Sequence, residues 1–204
     1  MIAILSYGLG NIKAFANIYK GLNIPVVAAE DRATLAAADR IILPGVGAFD
    51  HAMLRLRASG LFETLEEQVI GRGKPVLGVC VGMQMLAQSS EEGEQPGLGW
   101  IDGRVAKISF PEGAARGLLP HMGWSAIRPK AGQPLLDGLD EEVGFYFLHS
   151  YRFICNDPAD VIATADYATP FDCAVRRGNV NGVQFHPEKS HHNGIRLLKN
   201  FAEN

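Results

Sequence analysis

The segment "GVCVGMQ" (residues 78–84) sets Cys80 between two glycines where an apolar run breaks off. A strand that ends in G-x-C-x-G and feeds a helix has the layout of a nucleophile elbow. The glycines allow a tight turn and leave room beside the thiol for a substrate. The helix expected after it is "MQMLAQSS". Its start would favour a thiolate, and the N–H of Val81 would be free to hold a developing oxyanion. Cysteine is also among the most often buried residues, so spacing alone leaves an inert thiol open. What separates the two readings is a base.

Six histidines are candidates: His51, His121, His149, His186, His191 and His192. "GVQFHPEKS" (182–190) supplies the strongest of them. Pro187 disfavours helical geometry at His186, so His186 and Glu188 are expected two apart in an extended segment, projecting to the same side. An imidazole oriented by a carboxylate is what a cysteine nucleophile needs for acyl transfer through a thioester.

The elements that would position these groups follow from the pattern of apolar residues. "IAIL" (2–5), "IPVVAA" (24–29), "RIILPG" (40–45) and "KPVLGVC" (74–80) read as buried strands. A helix over about 11–22 and a helical stretch over 51–70 separate them. Continuous apolar strands alternating with helices indicate a parallel sheet covered on both faces. After Trp100 the rhythm changes to "WIDGRVAKISF", "HMGWSAIRP", "FYFLHSYRFIC", "VIATADY", "DCAVRRG" and "VNGVQF", and a helix over about 193–201 ends the chain. The expected fold is α/β: a central, mostly parallel sheet flanked by helices, with an additional largely antiparallel sheet in the second half. One domain over 1–204 is expected.

Composition excludes several classes. A formal charge of −3 and a pI near 6.1 give no footprint for nucleic acid or an anionic membrane. No run approaches the roughly 20 apolar residues of a membrane span. The short apolar start lacks the basic flank of a signal peptide. Three irregularly spaced cysteines, Cys80, Cys155 and Cys173, make neither a disulfide framework nor a zinc pattern, and a reducing cytoplasm is expected. No metal and no cofactor are assigned, and adjacent His191 and His192 are expected to be solvated.

Taken together, "GVCVGMQ" and "GVQFHPEKS" resemble the Cys-His-Glu triad of class I glutamine amidotransferases, a family with a flavodoxin-like α/β fold. "SYGLGNI", "LPGVGAF", "PHMGW" and "YFLHSY" are similar to the glutaminase subunits of imidazole glycerol phosphate synthases, over essentially the whole chain. The resemblance implies that Cys80 attacks the carboxamide of L-glutamine, that His186 moves the proton, and that Glu188 orients His186. It implies that "PGVG" is an oxyanion strand in which a peptide plane near Val46 and Gly47 turns an N–H toward the oxyanion. Gly47, Gln84, His149, Ser150 and Tyr151 match positions that hold glutamine. Asn11, Trp124, Tyr146 and Lys189 match positions near a partner interface.

The implied partner is a (β/α)8 barrel cyclase that receives the ammonia and makes imidazole glycerol phosphate and aminoimidazole carboxamide ribonucleotide for histidine biosynthesis. The sequence departs from the family pattern at Ser6, where an acidic residue is usual, at Ser125 in place of asparagine, and at Val81 in place of leucine. "GLGWIDG" and the segment after "HPEKS" are also similar to paralogues from surface-polysaccharide loci, which supply ammonia to a cyclase-like barrel for amidino-sugar formation.

Overall fold

The computed structural model describes residues 1–110, 118–140 and 142–204. Five parallel strands form the heart of the sheet: β1 (Ile2–Leu5), β2 (Val26–Ala29), β3 (Arg40–Gly45), β4 (Val76–Cys80) and, from far along the chain, β13 (Val180–Val183). Their order is β2-β1-β3-β4-β13. This is the flavodoxin-like winding, in which ligands lie beyond the carboxyl ends of the strands. β1, β4 and β13 are buried along their whole length, which explains why they carry no alternation of polar and apolar residues.

Helices α1 (Ile12–Gly21), α2 (Arg32–Ala37), α3 (Phe49–Ala58), α4 (Phe62–Glu66), α5 (Val81–Gln84) and α6 (His191–Glu203) complete the layers. Tyr19 of α1 is fully buried and donates its hydroxyl to the Leu198 carbonyl of α6 at 3.1 Å, so these two helices pack together. α2 departs from the sequence expectation, which left its residues unassigned. It is too short to show a helical period, and Asp31 caps it by accepting from both the N–H and the hydroxyl of Thr34. The helical stretch over 51–70 is likewise not continuous. It breaks after Ala58, where the Ser59 hydroxyl accepts from the N–H of Leu61, and it closes in a π-helical turn, Glu67–Gly71.

The second half is antiparallel as expected, but most of it extends the same sheet. β12 (Thr169–Arg177) pairs with β13, β10 (Tyr151–Cys155) with β12, and β6 (Gly103–Lys107) with β10. β11 (Val161–Tyr167) joins β12 to the short β8 (Ile127–Pro129), and the two-residue β5 (Ser89–Ser90) runs parallel to β6. Only β7 (His121–Ser125) and β9 (Phe145–His149) form a separate ribbon among the described residues. "FYFLHSYRFIC" is therefore two strands in two sheets, and the chain crosses between them at Ser150.

Candidate active site

Three neighbouring strands deliver the candidate groups. Gly45 at the end of β3 pairs in register with Cys80 at the end of β4, and Val183 at the end of β13 pairs with Val79. Val46, Cys80 and His186 therefore emerge at one carboxyl edge, brought there by sheet register although they are distant in sequence.

Cys80 adopts φ 56° and ψ −113°, a conformation that L-residues rarely hold, so the strain of the turn sits on the cysteine itself. The flanking glycine serves a different need. A Cβ on Gly82 would collide with the Leu43 carbonyl of β3, so the backbone after the thiol can approach β3 only if that residue is glycine. The helix fed by the turn is shorter than expected. It comprises Val81–Gln84 alone, because the carbonyls of Met85, Leu86, Ala87 and Gln88 bond to the segment 97–101 instead of continuing the helix. A single turn has little macrodipole. What remains is the N–H of Val81, which as first helical residue has no acceptor within its helix.

His186 Nδ1 meets Glu188 Oε1 at 2.9 Å, both side chains buried. The route differs from the expected extended run. His186 is extended (φ −103°, ψ 91°), whereas Pro187–Lys189 form one 3-10 turn that folds Glu188 back onto the ring. β9 pins that turn. The N–H of His186 donates to the Tyr146 carbonyl at 2.9 Å, and the Ser190 hydroxyl accepts from the Tyr146 N–H while donating to the His186 carbonyl at 2.6 Å. Burial pushes the His186 pKa down, but hydrogen bonding to Cys80 and Glu188 outweighs it and raises the ring to about 9. With Nδ1 occupied by the carboxylate, Nε2 is the ring nitrogen left for the thiol.

A cleft of about 300 Å³ opens on the sulfur. Its lining includes Val46, Gly47, Cys80, Val81, Gln84, His149, Ser150, Tyr151, His186 and Lys189, which are candidate residues from the sequence, together with Glu92, Pro120 and Leu148, which sequence reasoning missed. Glu92 steadies the cleft wall, because its carboxylate accepts the Phe49 N–H at 2.9 Å and so caps α3 directly after the Val46–Gly47 loop. Val46 is exposed, and Gly47 holds φ 85°. Among the described residues, Asn11 stands apart from this lining. It precedes α1 without a side-chain cap.

Beside the cleft, Trp124 stacks on His191 with ring centroids 5.2 Å apart and meets Tyr146 edge-on at 6.4 Å. Lys189 Nζ lies 5.5 Å over the Tyr146 ring. Trp124, Tyr146 and Lys189 are thus one cluster flanking the His186 turn.

Two polar groups lie behind the cleft: Gln184, which was not anticipated, and His121, one of the six candidate histidines. Gln184, fully buried, accepts from Gln84 Nε2 at 3.0 Å and places its own Nε2 3.8 Å from Cys80 Sγ. His121, buried on β7, meets His149 Nε2 through Nδ1 at 3.0 Å and Ser125 Oγ through Nε2 at 2.9 Å. His149 Nδ1 lies 2.8 Å from the Tyr151 carbonyl, which can only accept, so His149 carries its proton on Nδ1. His121 then donates from Nδ1, and Ser125 donates to His121 Nε2. Burial is the leading cause that lowers the His149 pKa to about 3 and the His121 pKa to about 4. The sequence signal for Gln184 was a polar residue inside an apolar strand end, and for His121 a histidine at an inward strand position.

The chain is similar to known proteins along its whole length. The family model "Glutamine amidotransferase class-I" matches residues 11–204. The chain is similar to "Imidazole glycerol phosphate synthase subunit HisH" of Bdellovibrio bacteriovorus, 56% identical over 203 residues and covering 100% of both chains. It is also similar to "Imidazole glycerol phosphate synthase subunit HisH 2" of Pseudomonas aeruginosa, 47% identical with 100% of this chain and 99% of the relative covered. The crystal structure of a glutamine amidotransferase shares the fold, with TM-score 0.71 and 21% identity over 99% of this chain and 97% of the other. A strained thiol, a buried imidazole–carboxylate pair and full-length likeness converge: the chain belongs to the class-I glutamine amidotransferases, in the branch of the HisH subunits of imidazole glycerol phosphate synthase.

Proposed function

We propose that the chain hydrolyses L-glutamine to glutamate and ammonia at Cys80 and passes the ammonia to a (β/α)8 barrel cyclase for imidazole glycerol phosphate formation in histidine biosynthesis. The observation that carries the reading is the convergence of a strained Cys80 and the His186–Glu188 pair on one cleft. His186, which keeps its proton up to about pH 9, holds on Nε2 the proton given up by Cys80, and the sulfur attacks the δ-carboxamide carbon. His186 returns that proton to the departing nitrogen, releasing ammonia and leaving a glutamyl thioester. Water, deprotonated by the same ring, then cleaves the thioester and frees glutamate and the thiol. Glu188 holds the ring and balances its charge.

In this reading the N–H of Val81 and a peptide N–H at Val46–Gly47 receive the oxyanion. Gly47, Gln84 and the His149–Ser150–Tyr151 corner hold the glutamine. Asn11, Trp124, Tyr146 and Lys189 face the partner. One glutaminase domain over 1–204 fits a sheet that runs through both halves of the chain. Three free cysteines support a reducing cytoplasm, and among the described residues no helix is long and apolar enough to cross a membrane.

The test is glutamate release by the chain mixed with a histidine-pathway cyclase from the same source, with and without that cyclase's nucleotide ligand. Ligand-dependent stimulation is expected. Cys80→Ala should abolish glutamine-dependent synthesis and spare synthesis driven by high ammonia. A folded, thiol-reactive chain that the cyclase does not stimulate would instead be the sugar-modifying paralogue.

A further inference from the structure

Gln184 presents a buried primary amide that glutamine hydrolysis by Cys80, His186 and Glu188 does not use. Burying such a group without partners is costly, so its bonds show what it is there to do. The orientation of the amide is fixed by a backbone atom. The Tyr151 carbonyl accepts from Gln84 Nε2 at 3.1 Å, which makes the nitrogen of Gln84 the atom shared with Gln184, at 3.0 Å. Gln184 must therefore turn its oxygen toward Gln84 and its nitrogen toward Cys80 Sγ, 3.8 Å away. A thiol sulfur is a weak acceptor, and a thiolate is a charged and much better one. The N–H of Gln184 thus gains most when the sulfur is ionised. In the opposite sense, the thiol lies 3.9 Å from the Leu148 carbonyl, which favours the protonated form.

We infer that Gln184 is a positioning residue for the nucleophile: clamped through Gln84, its carboxamide aims an N–H at Cys80 Sγ and holds the sulfur, preferentially as thiolate, at the floor of the cleft. The inference rests on the reading of Cys80 as the nucleophile. Gln84 then serves two ends, lining the substrate cleft and locking the group behind the sulfur, so glutamine contact at Gln84 and readiness of the thiol are linked by one hydrogen bond. The titratable groups facing the sulfur are His186 after β13, backed by Glu188, Tyr7 after β1, and His149 at the end of β9.

The experiment measures iodoacetamide alkylation of Cys80 against pH in the full chain, read by mass at the Cys80 peptide, for wild type, Gln184→Glu and Gln184→Met. Cys173 is fully buried, and burial pushes the Cys155 thiol up to about 12, so neither masks the signal. Both variants lose the N–H donor, and both should move the alkylation midpoint upward by about one pH unit, a tenfold change in ionisation. With the cyclase present, kcat for glutamine should fall about tenfold or more while KM changes less. Midpoints within about 0.3 of wild type in both variants, with folded spectra, would make Gln184 a structural spacer and overturn the inference. A shift in Gln184→Glu alone would be charge repulsion and would overturn it too. If Gln184→Met fails to fold, Gln184→Leu, which also removes the N–H without adding charge, takes its place. Alkylation needs no glutamine, so absence of wild-type glutamate release would count against the proposed function and leave this measurement standing.

Discussion

Environment separates three buried histidines, His186, His121 and His149, into opposite charge preferences, and each has a measurable consequence. His186, raised to about 9, binds its proton more tightly folded than unfolded, so its contribution to stability is complete below about 6.5 and is lost as pH rises through 9. His121 and His149, lowered to about 4 and 3, must charge on unfolding in acid. Their contribution is complete above about 6.5 and is lost as pH falls through those values. The urea midpoint should therefore peak near pH 6.5 with respect to these three groups. His186→Gln should flatten the alkaline limb and leave the acid limb unchanged; persistence of the alkaline limb would refute the assignment. Nitrogen-15 NMR should find His121 and His149 in the Nδ1–H tautomer from pH 6 to 8, against the usual preference of imidazole for Nε2–H. Glu188→Gln should lower the His186 midpoint by about one unit or more and reduce glutamate release by about a hundredfold.

At the scale of elements, the site depends on backbones that touch where no side chain fits. Gly194 in α6 lies directly against the Pro187 carbonyl, and a Cβ there would strike it. Gly194→Ala should displace the turn that carries His186 and Glu188, lowering kcat and reducing stability by about 1–3 kcal/mol, read by urea unfolding. This dependence bears on what the sequence made legible. β3 was readable to its exact ends because the apolar run Ile41–Leu43 is marked off by the charged Arg40 before it and Pro44–Gly45 after it. Cys80, His186 and Glu188 were legible as candidates because chemistry restricts their types and spacing, and the structure brings Cys80 and the His186–Glu188 pair to one cleft. α2 was not legible, since a capped helix of six residues is too short to show a period. The shortness of α5 was not readable either, because its end is set by bonds to residues 97–101, which no local pattern announces. Gln184 stayed hidden for a similar reason: its meaning lies in partners 104 and 100 residues away.

For the whole molecule, the relevant surface is the face beside the cleft. Met122 is 67% exposed, Trp124 45% and Val46 40%; Met122 and Trp124 share one face of β7, and Val46 lines the cleft. Trp124→Ala should weaken cyclase binding by about tenfold or more, measured by titration calorimetry, and shift the melting temperature by only a few degrees, because the ring is half exposed. A large loss of stability with unchanged binding would place the tryptophan in the fold instead. β4 lies between β3 and β13, yet Gln184, which directly follows β13, comes 104 residues after Cys80. While the ribosome is still at work, the strand carrying the thiol has an open edge and no base beside it. β7 and β9, which carry Trp124 and Tyr146, are synthesised before β13 closes that edge. Lys189 and His191, which complete the cluster with Trp124 and Tyr146, follow β13 as His186 does, so cluster and base are completed together.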